Sequence, residues 1–176
     1  MSLLSHPVAR LLWCACGAAG GIALALHFVG PGMNPFLLAS LGGSAVFLFG
    51  LTHAPAAQPR ALFGGHCIGA LAGIACFQVF GDALWVYALA QTVALMAMLI
   101  SKTVHPPAGA NPILMVHAHA SWSSLMDPVI FGVLILAAVA YVWSRCYPGL
   151  CRYPCTIFAA SPPTMLWGGW GQSVQR

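Results

Sequence analysis

The stretch KTVHPPAGANPILMV, residues 102–116, decides how this sequence folds. It places a cation, a histidine, two adjacent prolines, a glycine and an asparagine inside an otherwise apolar part of the chain. Proline has no backbone N–H, and its ring clashes with the preceding turn, so a regular helix cannot run through this segment. The stretch is therefore not a plain transmembrane helix, and the rest of the chain must accommodate a break here.

The composition is that of an integral membrane protein. Of the 176 residues, 60% are hydrophobic and 5% are charged, whereas soluble domains carry about 25% charged residues. Six lysines and arginines against two acids, Asp82 and Asp127, give a formal net charge of +4, which we interpret by position, as membrane topology. No basic cluster is interleaved with aromatic residues, so we expect the lipid bilayer as a partner and no nucleic acid.

Apolar runs predict an all-α polytopic fold with about five long transmembrane helices. The runs cover residues 11–29, 36–52, 61–80, 84–101 and 129–144. Their lengths are close to the roughly 20 residues that span a bilayer. A turn-forming stretch, GPGMNP at residues 30–35, separates the first two runs. We expect one transmembrane domain, residues 1–146, followed by an irregular interfacial tail, residues 147–176.

The positive-inside rule favours a sixth crossing of the membrane. Five lysine and arginine residues flank the predicted spans: Arg10, Arg60, Lys102, Arg145 and Arg152. Five crossings would put the last two on the side opposite the first three. A short, broken or re-entrant crossing over residues 106–120 brings all five to one side, which we expect to be cytoplasmic together with both termini. We expect the membrane to be a bacterial inner (plasma) membrane.

A second segment is similar to the central part of this broken crossing. GGSAVFLF, residues 42–49, aligns without gaps to GANPILMV, residues 109–116. With six crossings the two segments run in opposite directions, and the chain divides into two halves of three crossings. A 3+3 inverted repeat with an interrupted element in each half is typical of secondary transporters. The match is short and partly compositional, so it indicates a possible repeat.

Three blocks resemble the HPP family of integral membrane proteins: HPPAGA at residues 105–110 preceded by Lys102 and Thr103, GGSAVFLF at residues 42–49, and AQPRALFGGH at residues 57–66. Their order and spacing match over residues 36–145. The resemblance implies a helical membrane protein of four or more spans and a transporter, with nitrite uptake associated with some members, including ones similar to chloroplast envelope carriers. Asn111 and Pro112 depart from the small hydroxyl residue and apolar residue that commonly follow the HPPAGA block, which leaves the substrate open.

We expect the substrate between the two helix breaks. Helix N-termini bind anions, because unpaired amides and about half a positive charge face the ligand there. The candidate substrate-binding residues are the small and polar residues of the breaks and the neighbouring cations and histidines: Gly43, Ser44, Arg60, His66, Lys102, His105, Gly109, Ala110 and Asn111. An arginine at the mouth could pair with an oxyanion, and a histidine could carry a proton.

Each of these residues also has a purely structural interpretation. Glycines, Gly42 among them, permit close helix packing. Arg60 and Lys102 at span ends can serve as interfacial anchors that set orientation. His66 and His105 can be neutral rings bonded to backbone groups that a neighbouring glycine or proline leaves free. The prolines of the broken segment favour the site interpretation over packing alone.

We expect a transporter or channel for a small monovalent anion, most of all nitrite, acting as a homo-oligomer with a dimer as the default. We expect no enzymatic activity, since no nucleophile accompanies a base. We also expect no cofactor and no metal. Five residues are potential metal ligands: His117, His119, Cys146, Cys151 and Cys155. The cysteine spacing matches no standard zinc pattern, and the predicted topology separates the histidines from the cysteines.

Two other functions stay open at this point. One is a pathway for a metal or a neutral solute, lined by the histidines and cysteines. The other is a structural or sensory membrane subunit whose partner performs the chemistry. A polar cavity that reaches the membrane midplane would distinguish a transporter from a packed structural bundle.

Overall fold

The computed structural model describes residues 6–29 and 38–165, which form helices and contain no strand. The helices are α1 (Pro7–Val29), α2 (Ala39–Gly50), α3 (Pro59–Phe80), α4 (Leu84–Ser101), α5 (Asn111–His117) and α6 (Leu125–Trp143). Four of them, α1, α3, α4 and α6, are long and apolar enough to cross a membrane. The all-α polytopic prediction is confirmed, with four long helices and two short elements. The predicted turn at residues 30–35 and the tail from residue 166 lie outside the described residues.

One end of the bundle, which we name the tail end, is covered by residues 147–165. The Arg60 guanidinium at the start of α3 donates to the Ser101 carbonyl at the end of α4, at 2.8 Å. The Arg145 guanidinium after α6 donates to the carbonyl of Tyr153 in the tail, also at 2.8 Å. All lysines and arginines of the described residues belong to this end: Arg10, Arg60, Lys102, Arg145 and Arg152.

The opposite end of the bundle, which we name the far end, is organised by Asp82 in the turn between α3 and α4. Its carboxylate accepts hydrogen bonds from the Tyr87 hydroxyl at 2.9 Å and from His119 Nε2 at 2.8 Å. The His119 ring also stacks on Phe77, with centroids 4.8 Å apart. The hydrogen bond from His119, and then that from Tyr87, holds the pKa of Asp82 below its usual value. The end of α5 is thereby joined to the far end.

Both short elements run between the tail end and the far end, so the described residues form six segments that traverse the bundle. Helix α2 has seven α-helical residues followed by five in a π-helix. Helix α5 has seven residues and follows five residues of 3-10 helix, Pro106–Ala110; we name this pair the broken element. Each is about 20 Å long, shorter than the roughly 30 Å of a hydrocarbon core. Non-helical residues 102–105 and 118–120 complete the traversal by the broken element.

Helix α3 holds the broken element through a face of small residues. A Cβ atom added to Gly73 would lie 2.6 Å from the Pro112 carbonyl oxygen and 2.7 Å from Met115 Cβ. One added to Gly69 would lie 2.7 Å from the Ala108 carbonyl oxygen. Glycine is therefore required at both positions for the two backbones to meet, as small residues do between membrane helices.

The main apolar core lies between α1, α2 and α6, where Leu41, Leu48 and Leu136 are buried. Large apolar side chains on the outer surfaces of the long helices, among them Leu11 and Phe131, are exposed. Such an apolar exterior suits contact with lipid. The short elements pack against the four long helices with one side and are exposed on the other, as at Val46 and Ile113.

We expect Gly73→Ala to destabilise the protein, because the new methyl group would force α3 away from the broken element. Overpacking of this kind costs about 1–3 kcal/mol. The matched control is Gly20→Ala in α1, where an added Cβ meets nothing within 4 Å. Thermal unfolding in detergent measures the difference. An equal or higher melting temperature for Gly73→Ala than for Gly20→Ala would contradict the close contact.

Candidate functional site

Four polar residues from α2, α3 and the chain around the broken element are buried together: Ser44, His66, His105 and Asn111. Each has an exposed fraction of 1% or less. Ser44 Oγ lies 2.8 Å from His105 Nε2 and 3.3 Å from His66 Nε2. The Asn111 side-chain amide donates to the His66 carbonyl at 3.3 Å. We name these four residues the polar cluster; all four were predicted as candidate site residues.

Local sequence explains how His105 reaches the cluster. Lys102 ends α4 in the left-handed region, with φ of 55°, and so turns the chain back toward the bundle. His105 is extended, with φ of −125°, as expected before a proline, which disfavours the helical conformation of the preceding residue. Gly65 lets it approach α3, since a Cβ there would lie 2.9 Å from His105 Cβ. The prolines thus position the histidine and then start the broken element.

Hydrogen bonds to carbonyl groups fix the tautomers of both histidines. His66 Nδ1 lies 2.9 Å from the Leu62 carbonyl oxygen, and His105 Nδ1 lies 2.6 Å from the Ala56 carbonyl oxygen. A carbonyl oxygen only accepts hydrogen bonds, so each Nδ1 must carry the proton. In the neutral form of each ring, Nε2 is then an acceptor. Both Nε2 atoms face the same serine hydroxyl.

The polar cluster is one proton short of a complete hydrogen-bond network. The single Ser44 hydroxyl proton has three possible acceptors, namely His66 Nε2, His105 Nε2 and the Ser40 carbonyl at 3.0 Å. A proton added to one ring would turn that ring into a donor to Ser44 Oγ and free the hydroxyl for the other ring. The two ring centroids are 5.1 Å apart, so two positive charges would repel strongly. A second added proton is therefore less favourable than a first.

The other predicted residues of the helix breaks lie outside the polar cluster. Gly43 packs against Pro107, since an added Cβ would lie 2.9 Å from Pro107 Cβ. Gly109 is half-buried, and a Cβ there would lie 3.7 Å from the Gln91 amide nitrogen. Ala110 is exposed on the outside of the bundle. Gly43 allows α2 to pack closely on the broken element, and Gly109 and Ala110 lie beside that contact.

The predicted cations are at the tail end. Arg60 donates to the Ser101 carbonyl. The carbonyl of Lys102 accepts from the backbone N–H of Ser161 in the tail at 3.0 Å. Both residues therefore join elements at the surface of the tail end, while the cluster lies inside the bundle.

The expected pair of facing helix N-termini is not formed, and this expectation is corrected. Residues 42–44 lie inside α2, which begins at Ala39. The broken element begins with two prolines, which have no N–H to offer. The next amide, that of Ala108, is bonded to the His105 carbonyl at 2.9 Å. Backbone amides at the breaks are thus missing or engaged, and the histidines are the groups able to supply positive charge.

Sequence reasoning missed the groups that complete the cluster. The carbonyls of Ser40, Ala56 and Leu62 determine which ring nitrogens carry protons. Ser40 and Leu62 each lie four residues before their partner on a helix, which is a signal in the sequence, whereas Ala56 lies far from His105 along the chain. Among the described residues, Asn111 Oδ1 is buried without a hydrogen-bond partner. It offers an acceptor beside the cluster for a water molecule or another donor.

Comparison with known proteins finds a family match that includes the whole polar cluster. The family model described as HPP, transmembrane region, matches residues 4–154. A transmembrane protein of Dictyostelium discoideum is 34% identical over 115 residues, 61% of this chain and 37% of that protein. A second from the same organism is 33% identical over 114 residues, covering 60% and 40%. The chain thus spans about two fifths of these relatives, which are described only as transmembrane proteins. No solved structure matches.

We expect Ser44→Ala to destabilise the protein by about 1–3 kcal/mol, the usual cost of leaving a buried polar group unsatisfied. Both histidine Nε2 atoms would lose their hydroxyl partner. The control is Thr92→Val, because Thr92 makes the same bond to the carbonyl four residues earlier but is exposed. Thermal unfolding of both variants in detergent tests this, and equal melting temperatures would argue against the network.

Proposed function

Because the chain belongs to the HPP family of transmembrane proteins, we propose that it carries a small monovalent anion, foremost nitrite, across the membrane together with one proton. The observation that carries this proposal is the polar cluster, which lacks one proton. A charge buried alone is costly, whereas a paired one is tolerated. Protonation of His66 or His105 would create a positive charge that an anion beside it would neutralise. Proton and anion would therefore bind together.

The closed state of the cluster determines how the anion would reach it. Its residues are fully buried, so α2 and the broken element would have to separate. They meet where Gly43 packs on Pro107. Separation at one end and then at the other would give alternating access to a fixed site.

The two short elements support the proposal of a 3+3 inverted repeat. The offset in residue number between residues 39–50 and 106–117 equals the offset between residues 42–49 and 109–116 in the gapless alignment. Ser44 and Asn111 are equivalent in that alignment, and both bond to His66. Helix α1 packs on α6, as α4 packs on α3, which is the pairing expected of two halves related by a two-fold axis.

The tail end supplies a general attraction for anions. Its lysines and arginines would raise the local anion concentration, and Arg60 lies at the start of α3, the helix that carries His66. We propose this contribution to be long-range, since the Arg60 guanidinium already bonds to the Ser101 carbonyl. Arg60 would then affect the rate of capture more than the binding of the occluded anion.

A structural or sensory membrane subunit is the competing function. The observation in its favour is the same burial, because a closely packed polar network can also lock helices in register. The two proposals differ in one respect. A structural role requires only the hydrogen bonds of the polar cluster. Transport requires in addition that one histidine of the cluster is protonated when the anion binds.

Uptake of nitrite into proteoliposomes tests the proposed function. Nitrous acid crosses lipid unaided, so the rate has to be measured above empty vesicles at each pH. We expect protein-dependent uptake that is faster with an acidic exterior. We expect Ser44→Ala to reduce it about ten- to a hundredfold, the equivalent of losing a hydrogen bond to a charged group, while Thr92→Val retains it. Absence of flux above empty vesicles under both directions of pH gradient would overturn the proposal.

We also propose that the protein sits in a bacterial plasma membrane, as a homo-oligomer and by default a dimer, with the tail end and both termini cytoplasmic. The lysines and arginines collected at the tail end support this orientation. In a cysteine-free background, Ser123→Cys and Thr156→Cys place one exposed thiol at the far end and one at the tail end. An impermeant maleimide should label only Ser123→Cys in intact cells, and the reverse pattern would contradict the orientation.

A further inference from the structure

We propose that His53, Cys151 and Cys155 form a binding site for one soft or borderline metal cation of the Zn²⁺ class at the tail end. Their ligand atoms all lie within 4.8 Å of one another. His53 Nδ1 is 3.6 Å from the Cys151 sulfur and 3.8 Å from the Cys155 sulfur. The site is separate from the polar cluster and does not depend on the proposed transport.

The distances fit a tetrahedral ion. Zn²⁺ binds sulfur at about 2.3 Å and histidine nitrogen at about 2.1 Å, so a tetrahedral site has nitrogen-to-sulfur edges of about 3.6 Å. Both measured distances are close to this edge length. The two sulfurs are in contact as a disulfide in the structure. The metal would bind the reduced pair, whose two thiolates would part to about 3.8 Å around the ion.

A buried glutamine brings the two ligand segments together. The Gln58 side-chain amide group donates to the carbonyls of Thr52 and Ala54, at 2.8 and 3.2 Å, on either side of His53. Its oxygen accepts from the backbone N–H of Cys155 at 2.9 Å. Gln58 is 1% exposed. One side chain therefore holds the histidine segment against the cysteine segment, as outer-shell residues do around metal sites.

The segment between the cysteines is fixed as well. Tyr153 lies midway between them and is 2% exposed. Its backbone N–H donates to the Ser144 hydroxyl at 3.0 Å, and its carbonyl accepts from Arg145 at 2.8 Å. The two sulfurs are thus presented from a segment anchored to the end of α6.

The chemistry of the three ligands selects the class of ion. Two thiolates and a neutral imidazole favour Zn²⁺ and softer ions over Mg²⁺ or Ca²⁺, and two thiolates neutralise a divalent charge. Three protein ligands leave a fourth position for water. A cavity of about 270 Å³ borders His53 and Cys151, which provides room for that exchangeable ligand.

The structure separates these ligands from the histidines considered in the sequence. His119 is bonded to Asp82 at the far end, so it cannot share an ion with the tail cysteines. His53 is the histidine that lies beside the tail cysteines, although it is about a hundred residues from Cys151 in the chain. The spacing of the two cysteines, four residues apart, gave no indication of it.

Titration with Co²⁺, a spectroscopic substitute for Zn²⁺, tests the site. The full-length protein in detergent is reduced, freed of reductant under argon and titrated. We expect one Co²⁺ per chain, with tetrahedral d–d bands and a thiolate charge-transfer band that Zn²⁺ abolishes. Cys151→Ser with Cys155→Ser should remove the bands, His53→Ala should weaken them, and Gln58→Ala should lower the affinity about 10–100-fold.

Two variants serve as matched controls, because each removes a cysteine or a histidine that lies outside the proposed metal site. Cys146→Ser and His119→Ala should bind Co²⁺ as the unmodified protein does. Melting temperatures measured without metal establish that each variant is folded. Absence of a thiolate band in the reduced protein would overturn the site, as would loss of the band in Cys146→Ser or its full retention in the double cysteine variant.

Discussion

A break in the backbone inside a membrane protein has to be enclosed by protein, because lipid cannot satisfy the hydrogen bonds that are freed. Pro106 and Pro107 impose such a break, and most of the architecture accommodates it. The glycines of α3 admit the broken element, and the polar cluster surrounds its start. The four long helices pack against both short elements and bury their polar side chains. Without the prolines, the chain between Lys102 and His119 could be a regular helix, and His105 would not be extended toward α3.

The sequence was sufficient to predict the breaks and the residues that meet at them. Residues 84–101 were predicted as a span and are helical over the same range. Ser44 and Asn111 were singled out as donors at the helix breaks, and His66 and His105 as possible proton carriers. The structure places these four residues together. The arrangement of the second apolar run was not predicted. Its length suggested a long helix, but its described part is the short α2.

What the sequence could not reveal depends on backbone atoms and on distant contacts. The protonation of the two histidine rings follows from hydrogen bonds to the backbone carbonyls of Ala56 and Leu62. Every residue has a backbone carbonyl, so the type of residue does not indicate these bonds. The predicted anion site at helix N-termini failed because the prolines that break the helix also remove its amides. The pairing of His53 with the tail cysteines depends on Gln58, whose position in a loop gives no sign of its burial.

Residues 147–165 of the tail are a structural part of the bundle. Ser161 bonds on either side of Thr103, through the Lys102 carbonyl and the Val104 N–H, at 3.0 and 2.7 Å. The chain leading to His105 is therefore held from the tail end. Gln58 ties the tail to the segment whose Ala56 carbonyl bonds to His105. The tail end and the polar cluster are mechanically connected through these two contacts.

The single proton that the polar cluster can accept has an electrical consequence for the proposed cycle. A lone anion that enters a cell with a negative interior does work against the membrane voltage, about 2.3 kcal/mol per 100 mV for each charge. An anion accompanied by one proton moves no net charge. Because the two rings are 5.1 Å apart and a second proton is disfavoured, the proposed cycle would carry one proton with one anion. This cotransport would be electroneutral. It would be driven by the pH and anion gradients and would not depend on the membrane voltage.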